Sequence, residues 1–161
     1  MLKKSFFLSI ALFLLPGAAS AQAHHSCIVV PKTFAAIHNC YRALLVFAPS
    51  PANPLLTRQE HLLDGDADDM MDRFVLFTPI TPNGSRINPP LDAPWTILPQ
   101  AQMDEVRRQF HIPVSEFTIL LLDEDGSIMF RTHAPVNPFH LNHIIDRTPL
   151  RQREELRKDS N

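Results

Sequence analysis

Glycine is scarce. The 161 residues include 4 glycines against 15 prolines. Neither G-x-x-x-x-G-K-[ST] nor G-x-G-x-x-G occurs, which excludes both glycine-rich phosphate cradles. A surplus of positive charge is also missing. The formal net charge is −2, so the basic face of a nucleic-acid binder is excluded. No apolar run reaches the length that a membrane-spanning helix needs. Hydrophobic residues make up 45% and charged residues 20%, a globular composition that argues against disorder throughout. The length suits one domain, large enough to bury a core without a metal or several disulfides.

The first 23 residues have the layout of a secretory signal peptide. Lys3 and Lys4 give a positive start, an apolar run follows over residues 6–15, and Pro16-Gly17 ends it. Two small-x-small sites then place cleavage after Ala21 or Ala23. Without this leader the chain carries 13 basic and 17 acidic residues. The expected product is periplasmic or secreted, with no transmembrane anchor. The two cysteines of the chain, Cys27 and Cys40, read as a disulfide in that oxidising compartment. It would tie down a segment that otherwise frays.

Along the rest of the chain, Thr33 caps a short helix with Phe34, Ile37 and Tyr41 on one face. Residues 43–48 form a continuous apolar run, which suits a strand buried on both faces. Residues 49–54 break it, and 55–63 read as a helix. The acidic stretch 66–72 leads to a second strand at 74–77. A proline-rich insertion spans 79–99 and holds Trp95, which is either a partner anchor or a plug in the side of the core. A helix at 102–110 and a third strand at 117–122 follow. Asp123-Glu124-Asp125-Gly126 makes a hairpin turn into a fourth strand at 127–131. Asn137 caps a last helix to 146, and the charged end reads as solvated. The order is β-α-β-α-β-β-α, an α/β sandwich around a four-stranded mixed sheet.

Three segments carry a family resemblance: Arg42 to Ser50, the hairpin Phe117 to Gly126, and the ending Ile145-Asp146-Arg147-Thr148-Pro149-Leu150-Arg151-Gln152-Arg153-Glu154. With them the chain resembles the bacterial family called domain of unknown function 4174, a thioredoxin-like group with relatives in extracellular sushi-repeat and matrix proteins. The motif residues are Asp125, Gly126, Asp146, Pro149, Arg151 and Glu154. The expected organisation is a signal peptide at 1–23, an N-terminal segment at 24–40 with Cys27 and Cys40, a thioredoxin-like domain at 41–154 and a charged tail at 155–161.

The resemblance implies no established activity. In thioredoxin relatives the reactive cysteine follows the first strand, where a helix N-terminus favours the thiolate. Here that stretch is Pro49-Ser50-Pro51-Ala52-Asn53-Pro54, and Phe117 stands where a cis-proline would precede Thr118. The expectation is a non-catalytic exported domain that binds a protein or cell-envelope partner, with no cofactor. Two alternatives stay open. One is thiol redox chemistry through Cys27 and Cys40. The other is Cu or Zn held by His24, His25, Cys27, His38 and Cys40. The alternating acids at 64–69 fail as a calcium loop, because Asp69 and Val75 stand where Gly and Glu are required. Arg147, Arg151 and Arg153 offer forks for an anionic ligand or partner, or else pair with their own acidic neighbours.

Overall fold

The computed structural model describes residues 27, 30–83 and 92–158. The expected leader, His24, His25 and the tip of the proline-rich insertion lie outside the described residues. The elements are α1 (Phe34–Ile37), β1 (Arg42–Phe47), α2 (Pro54–Leu63), α3 (Ala67–Asp72), β2 (Val75–Ile80), α4 (Gln100–Gln109), β3 (Thr118–Leu122), β4 (Ile128–Thr132), α5 (Pro138–Ile145) and α6 (Pro149–Lys158).

The strands form one mixed sheet in the order β2-β1-β3-β4. β1 and β2 are parallel, with Arg42 opposite Val75 and Phe47 opposite Ile80. β3 runs antiparallel to β1, and β4 antiparallel to β3. Every position of β1, β2 and β3 is buried. The cause is helices on both faces, which is why these strands read as unbroken apolar runs. On one face Leu44, Val46, Phe77, Ile119 and Leu121 meet Leu56 and Leu63 of α2, Met70 of α3, and Leu141 and Ile145 of α5. On the other Leu45, Phe47, Leu76, Ile80 and Leu120 meet Ile37 of α1 and Met103 and Val106 of α4. Each such leucine or phenylalanine contributes roughly 1.5–3 kcal/mol by leaving water.

Helix starts follow a repeated device. The Asn53 carboxamide accepts from the N–H groups of Leu55 (3.0 Å) and Leu56 (3.4 Å) ahead of Pro54. Asn137 does the same for Phe139 (2.9 Å) ahead of Pro138. Asn followed by Pro sets the cap and the first helical φ together.

Three differences from the sequence reading have physical reasons. Residues 67–72 of the acidic stretch form a helix, because Met70 is buried in the core. The second strand runs on to Ile80, through Pro79. Along β2 the N–H groups of the even-numbered residues and of Ala48 serve the ladder with β1, while Phe77 bonds outward to Pro94 and Thr96. Pro79 shares that outward side, so its missing N–H costs no ladder bond. Finally, the charged end is a helix, α6, that is largely exposed, as expected, but is anchored by one buried residue. That residue is Arg151, which is 3% exposed.

Candidate functional site

The C-terminal end of β1 is where the fold family would place a reactive thiol. The loop there is a turn in which Asn53 N–H donates to the Ser50 carbonyl (3.1 Å). The N–H groups that would stabilise a thiolate are already engaged by the Asn53 side chain. A buried cation closes the same pole. The Arg107 guanidinium donates to the carbonyls of Ala48 (3.1 Å), Ile80 (2.8 Å) and Pro113 (2.8 Å). It also lies 5.4 Å from the Phe47 ring centroid. Burial lowers its pKa, with Asp104 and Glu116 opposing.

At the start of β3, the Thr118 hydroxyl bonds to Glu116 and lies 3.1 Å from His133 Nδ1. Glu116 reaches the same ring nitrogen at 3.2 Å. A nucleophile–base–acid relay needs the two partners on opposite ring nitrogens, so this trio is not one.

Cys27 and Cys40 are joined by a disulfide, with Cα atoms 5.6 Å apart. Cys40 precedes β1, whereas the thiol position follows it. The six residues of β1 separate the two by about 20 Å at the usual rise per residue. Among the described residues no group of three or more His, Cys, Asp or Glu side chains is placed to hold a metal ion.

At the N-terminal end of β1 lies Arg42, which is 0% exposed and is bonded by one of the family-motif residues, Glu154. Its Nη2 and Nη1 donate to the two oxygens of Glu154 at 2.7 and 3.3 Å. Its Nε donates to Asp123 Oδ1 (3.1 Å), and Nη1 donates to the Arg73 carbonyl (2.8 Å). Glu124 stands 3.6 Å away. Arg151 engages the Asp72 carbonyl (2.8 Å), the Asp72 carboxylate, Glu154 (3.4 Å) and Glu155. Arg73 forks onto Asp146 at 2.8 and 3.0 Å. Burial works against the Arg42 charge, yet Glu154, Glu124 and Asp123 together raise its pKa. Burial raises the pKa of Glu124, assisted by Glu154 and Asp123 and opposed by Arg42.

This lattice ties the start of β1, the β3–β4 turn, the α3–β2 turn and α6 into one unit. Its guanidinium groups face the protein's own carboxylates, although the buried Nε of Arg151 has no hydrogen-bond partner. Asp146, Arg151 and Glu154 therefore come together, and Pro149 opens their helix. Asp125 and Gly126 shape the adjoining turn. Gly126 has φ +81°, and a Cβ there would lie 3.2 Å from the His38 ring. That ring donates through Nε2 to the Asp125 carbonyl (2.9 Å). Sequence reasoning missed Arg42 as the hub. The signal was a single charged residue opening an otherwise apolar strand.

Beside the lattice lies an apolar groove of about 480 Å3, lined by Val30, Tyr41, Met71, Phe74, Ala93, Pro94 and Trp95 among others. Eight large hydrophobics are exposed among the described residues, and four line this groove: Val30 45%, Met71 58%, Phe74 45% and Trp95 37%. Phe74 adopts φ +53°, a costly conformation for a bulky side chain. Two contacts over-determine it: Phe74 N–H donates to Met71 O (3.1 Å), and its own carbonyl accepts from Arg42 N–H (2.9 Å). The Arg42 side chain holds the preceding carbonyl. The ionic lattice thus supports the turn that presents Met71 and Phe74. Trp95 is held from the other side, where Pro94 O and Thr96 N–H bracket Phe77 at 2.9 Å each. Its indole is a groove wall, not a core plug.

Comparison with known proteins now bears on this geometry. The family described as domain of unknown function (DUF4174) matches residues 33–154. The chain belongs to the DUF4174 family. No curated protein matches it. Among solved structures, it is similar to thioredoxin peroxidase I of Plasmodium yoelii, with 14% identity, a TM-score of 0.55, and coverage of 76% of this chain and 79% of that one. The reduced 2-Cys peroxiredoxin of Plasmodium vivax matches at 14% identity, TM-score 0.54, covering 76% and 84%. StoA from Bacillus subtilis matches at 17% identity, TM-score 0.50, covering 71% and 93%. These likenesses establish a thioredoxin-like fold for this DUF4174 chain. At such identities they carry no activity over to it.

Proposed function

We propose that this DUF4174 protein is an exported, non-catalytic thioredoxin-like domain that binds a protein partner through the groove walled by Met71, Phe74 and Trp95. One observation carries the reading: half of the large exposed hydrophobics among the described residues gather in this single groove. Gathered apolar side chains, with aromatics among them, mark interaction sites, whereas scattered ones do not. The strained backbone at Phe74, held by buried ionic contacts, supports the same reading, since such strain concentrates at functional positions. The layout of residues 1–23 and the Cys27–Cys40 disulfide support export.

Thiol catalysis finds less support. The loop after β1 has no cysteine, and the disulfide stands at the opposite end of that strand. The test is binding of the apolar dye 8-anilinonaphthalene-1-sulfonate, followed by Trp95 quenching, in the wild type and in Met71→Glu. Binding that Met71→Glu weakens about tenfold, the equivalent of 1.4 kcal/mol, supports the groove. Binding of equal strength in both proteins refutes it.

A further inference from the structure

We propose that the Cys27–Cys40 disulfide gates this groove: the site is assembled while the bond is closed, and it loses a wall when a dithiol opens the bond. The inference rests on the groove being the binding site and adds its regulation. Two of the lining residues, Val30 and Tyr41, lie three residues and one residue beyond the bonded cysteines. The bond closes a chain loop whose regular structure, among the described residues, is α1, four residues long. A single helical turn has no independent stability.

The far part of the segment is well anchored, with Ile37 in the core, Asn39 N–H donating to Glu124 O (2.7 Å) and the His38 ring bonded to Asp125 O. Nearer Val30, two hydrogen-bond ties hold it. The buried Thr96 hydroxyl donates to Pro31 O (2.6 Å), and the Gln102 side chain accepts from Phe34 N–H (3.3 Å). The first tie is made by the neighbour of Trp95. The Val30 wall and the Trp95 wall are therefore one assembly, and the disulfide is its covalent anchor.

The two cysteine residues differ in exposure: Cys27 is exposed, and Cys40 is half-buried. A thiolate of an external dithiol attacks Cys27 Sγ. The Cys27–Cys40 bond breaks, and Cys40 leaves as a thiolate that takes up a proton. The second thiol of the reductant then attacks its own sulfur in the mixed disulfide and releases Cys27 as a thiol. The dithiol departs oxidised, and two electrons have passed to the protein. The Thr96–Pro31 hydrogen bond then remains beside Val30.

The experiment compares dye binding and hydrogen–deuterium exchange in oxidised protein, protein reduced with dithiothreitol, and Cys27→Ser/Cys40→Ser, with Met71→Glu as the control for binding in the groove. The expected result is a loss of affinity of about fivefold or more on opening the bond, the lower end of ordinary site coupling. Deuterium uptake should rise at residues 30–34 and stay unchanged in β1 and β3. Met71-sensitive binding that is equal in oxidised and reduced protein would overturn the gate and leave the groove standing. Binding insensitive to Met71→Glu in the oxidised protein would overturn the groove and the gate with it. Uptake rising evenly across the sheet would show that the bond holds the fold rather than the groove, which also overturns the proposal.

Discussion

Glu154→Ala should destabilise the fold by about 2–3 kcal/mol, although the residue sits near the end of a charged segment. Removing one partner of a buried ion pair ordinarily costs about 3–5 kcal/mol, because the other charge is left without compensation in a poorly solvated place. Here Arg42 is fully buried and takes both Glu154 oxygens. The cost is reduced because Asp123 at 3.1 Å, Glu124 at 3.6 Å and the Arg73 carbonyl remain. Arg42→Met should cost more, about 3–5 kcal/mol, since it leaves several carboxylates facing one another. The double variant Arg42→Met/Glu154→Ala should lose about 0.5–3 kcal/mol less than the sum of the singles, the range seen for residues in direct contact. Urea unfolding followed by far-UV circular dichroism reads these differences. A melting shift of about 3–5 °C per kcal/mol is expected for a domain of this size. Arg153→Ala, on the exposed side of the same helix, should stay within about 0.5 kcal/mol of wild type. If Glu154→Ala behaves like Arg153→Ala, the segment is a solvated tail and the account of the ionic lattice is wrong.

Glu124→Gln should raise stability at neutral pH. Burial holds the folded pKa of Glu124 above its ordinary 4.5, so the carboxylate is less favourable in the folded state than in the unfolded one. The advantage of Gln is full above the folded pKa, shrinks as pH falls through it, and vanishes below 4.5. A Gln variant less stable than wild type in a neutral thermal melt would contradict this sign. Gly126→Ala should cost about 1–2 kcal/mol, from the left-handed backbone and the close His38 ring together. A melt unchanged by that substitution would show that the turn relaxes freely. Asn53→Ala should cost about 1 kcal/mol through the loss of the α2 cap, seen as a lowered urea midpoint with an unchanged slope.

The strands β1, β2 and β3 were legible because they are covered on both faces. Residues such as Leu44, Leu45 and Val46 point to opposite helix layers, and no polar side chain interrupts them. Helix starts were legible where Asn precedes Pro. The helix at 67–72 was hidden by its composition, since Met70 is its one fully buried anchor among acids. The end of the chain was partly misread for a related reason. Its Arg and Glu residues look like a solvated surface, and most are exposed. The two inward ones answer partners remote in sequence, Arg151 to Asp72 and Glu154 to Arg42, 79 and 112 residues away. The groove was half legible. Trp95 stood out as an aromatic in a proline-rich stretch. Met71 and Phe74 did not, because Met71 sits in an acidic stretch beside the buried Met70 and Phe74 reads as the first residue of an apolar strand.

The most direct test of the central claim is site-specific photocrosslinking in cells that export the protein. A benzophenone amino acid replaces Met71 in one variant and Ala52, at the thiol-type pole, in another. The account predicts a discrete protein adduct from position 71, abolished when Trp95→Ala is added, and no adduct from position 52. An adduct from position 52 with none from position 71 would place the binding face at the opposite end of β1 and contradict the account.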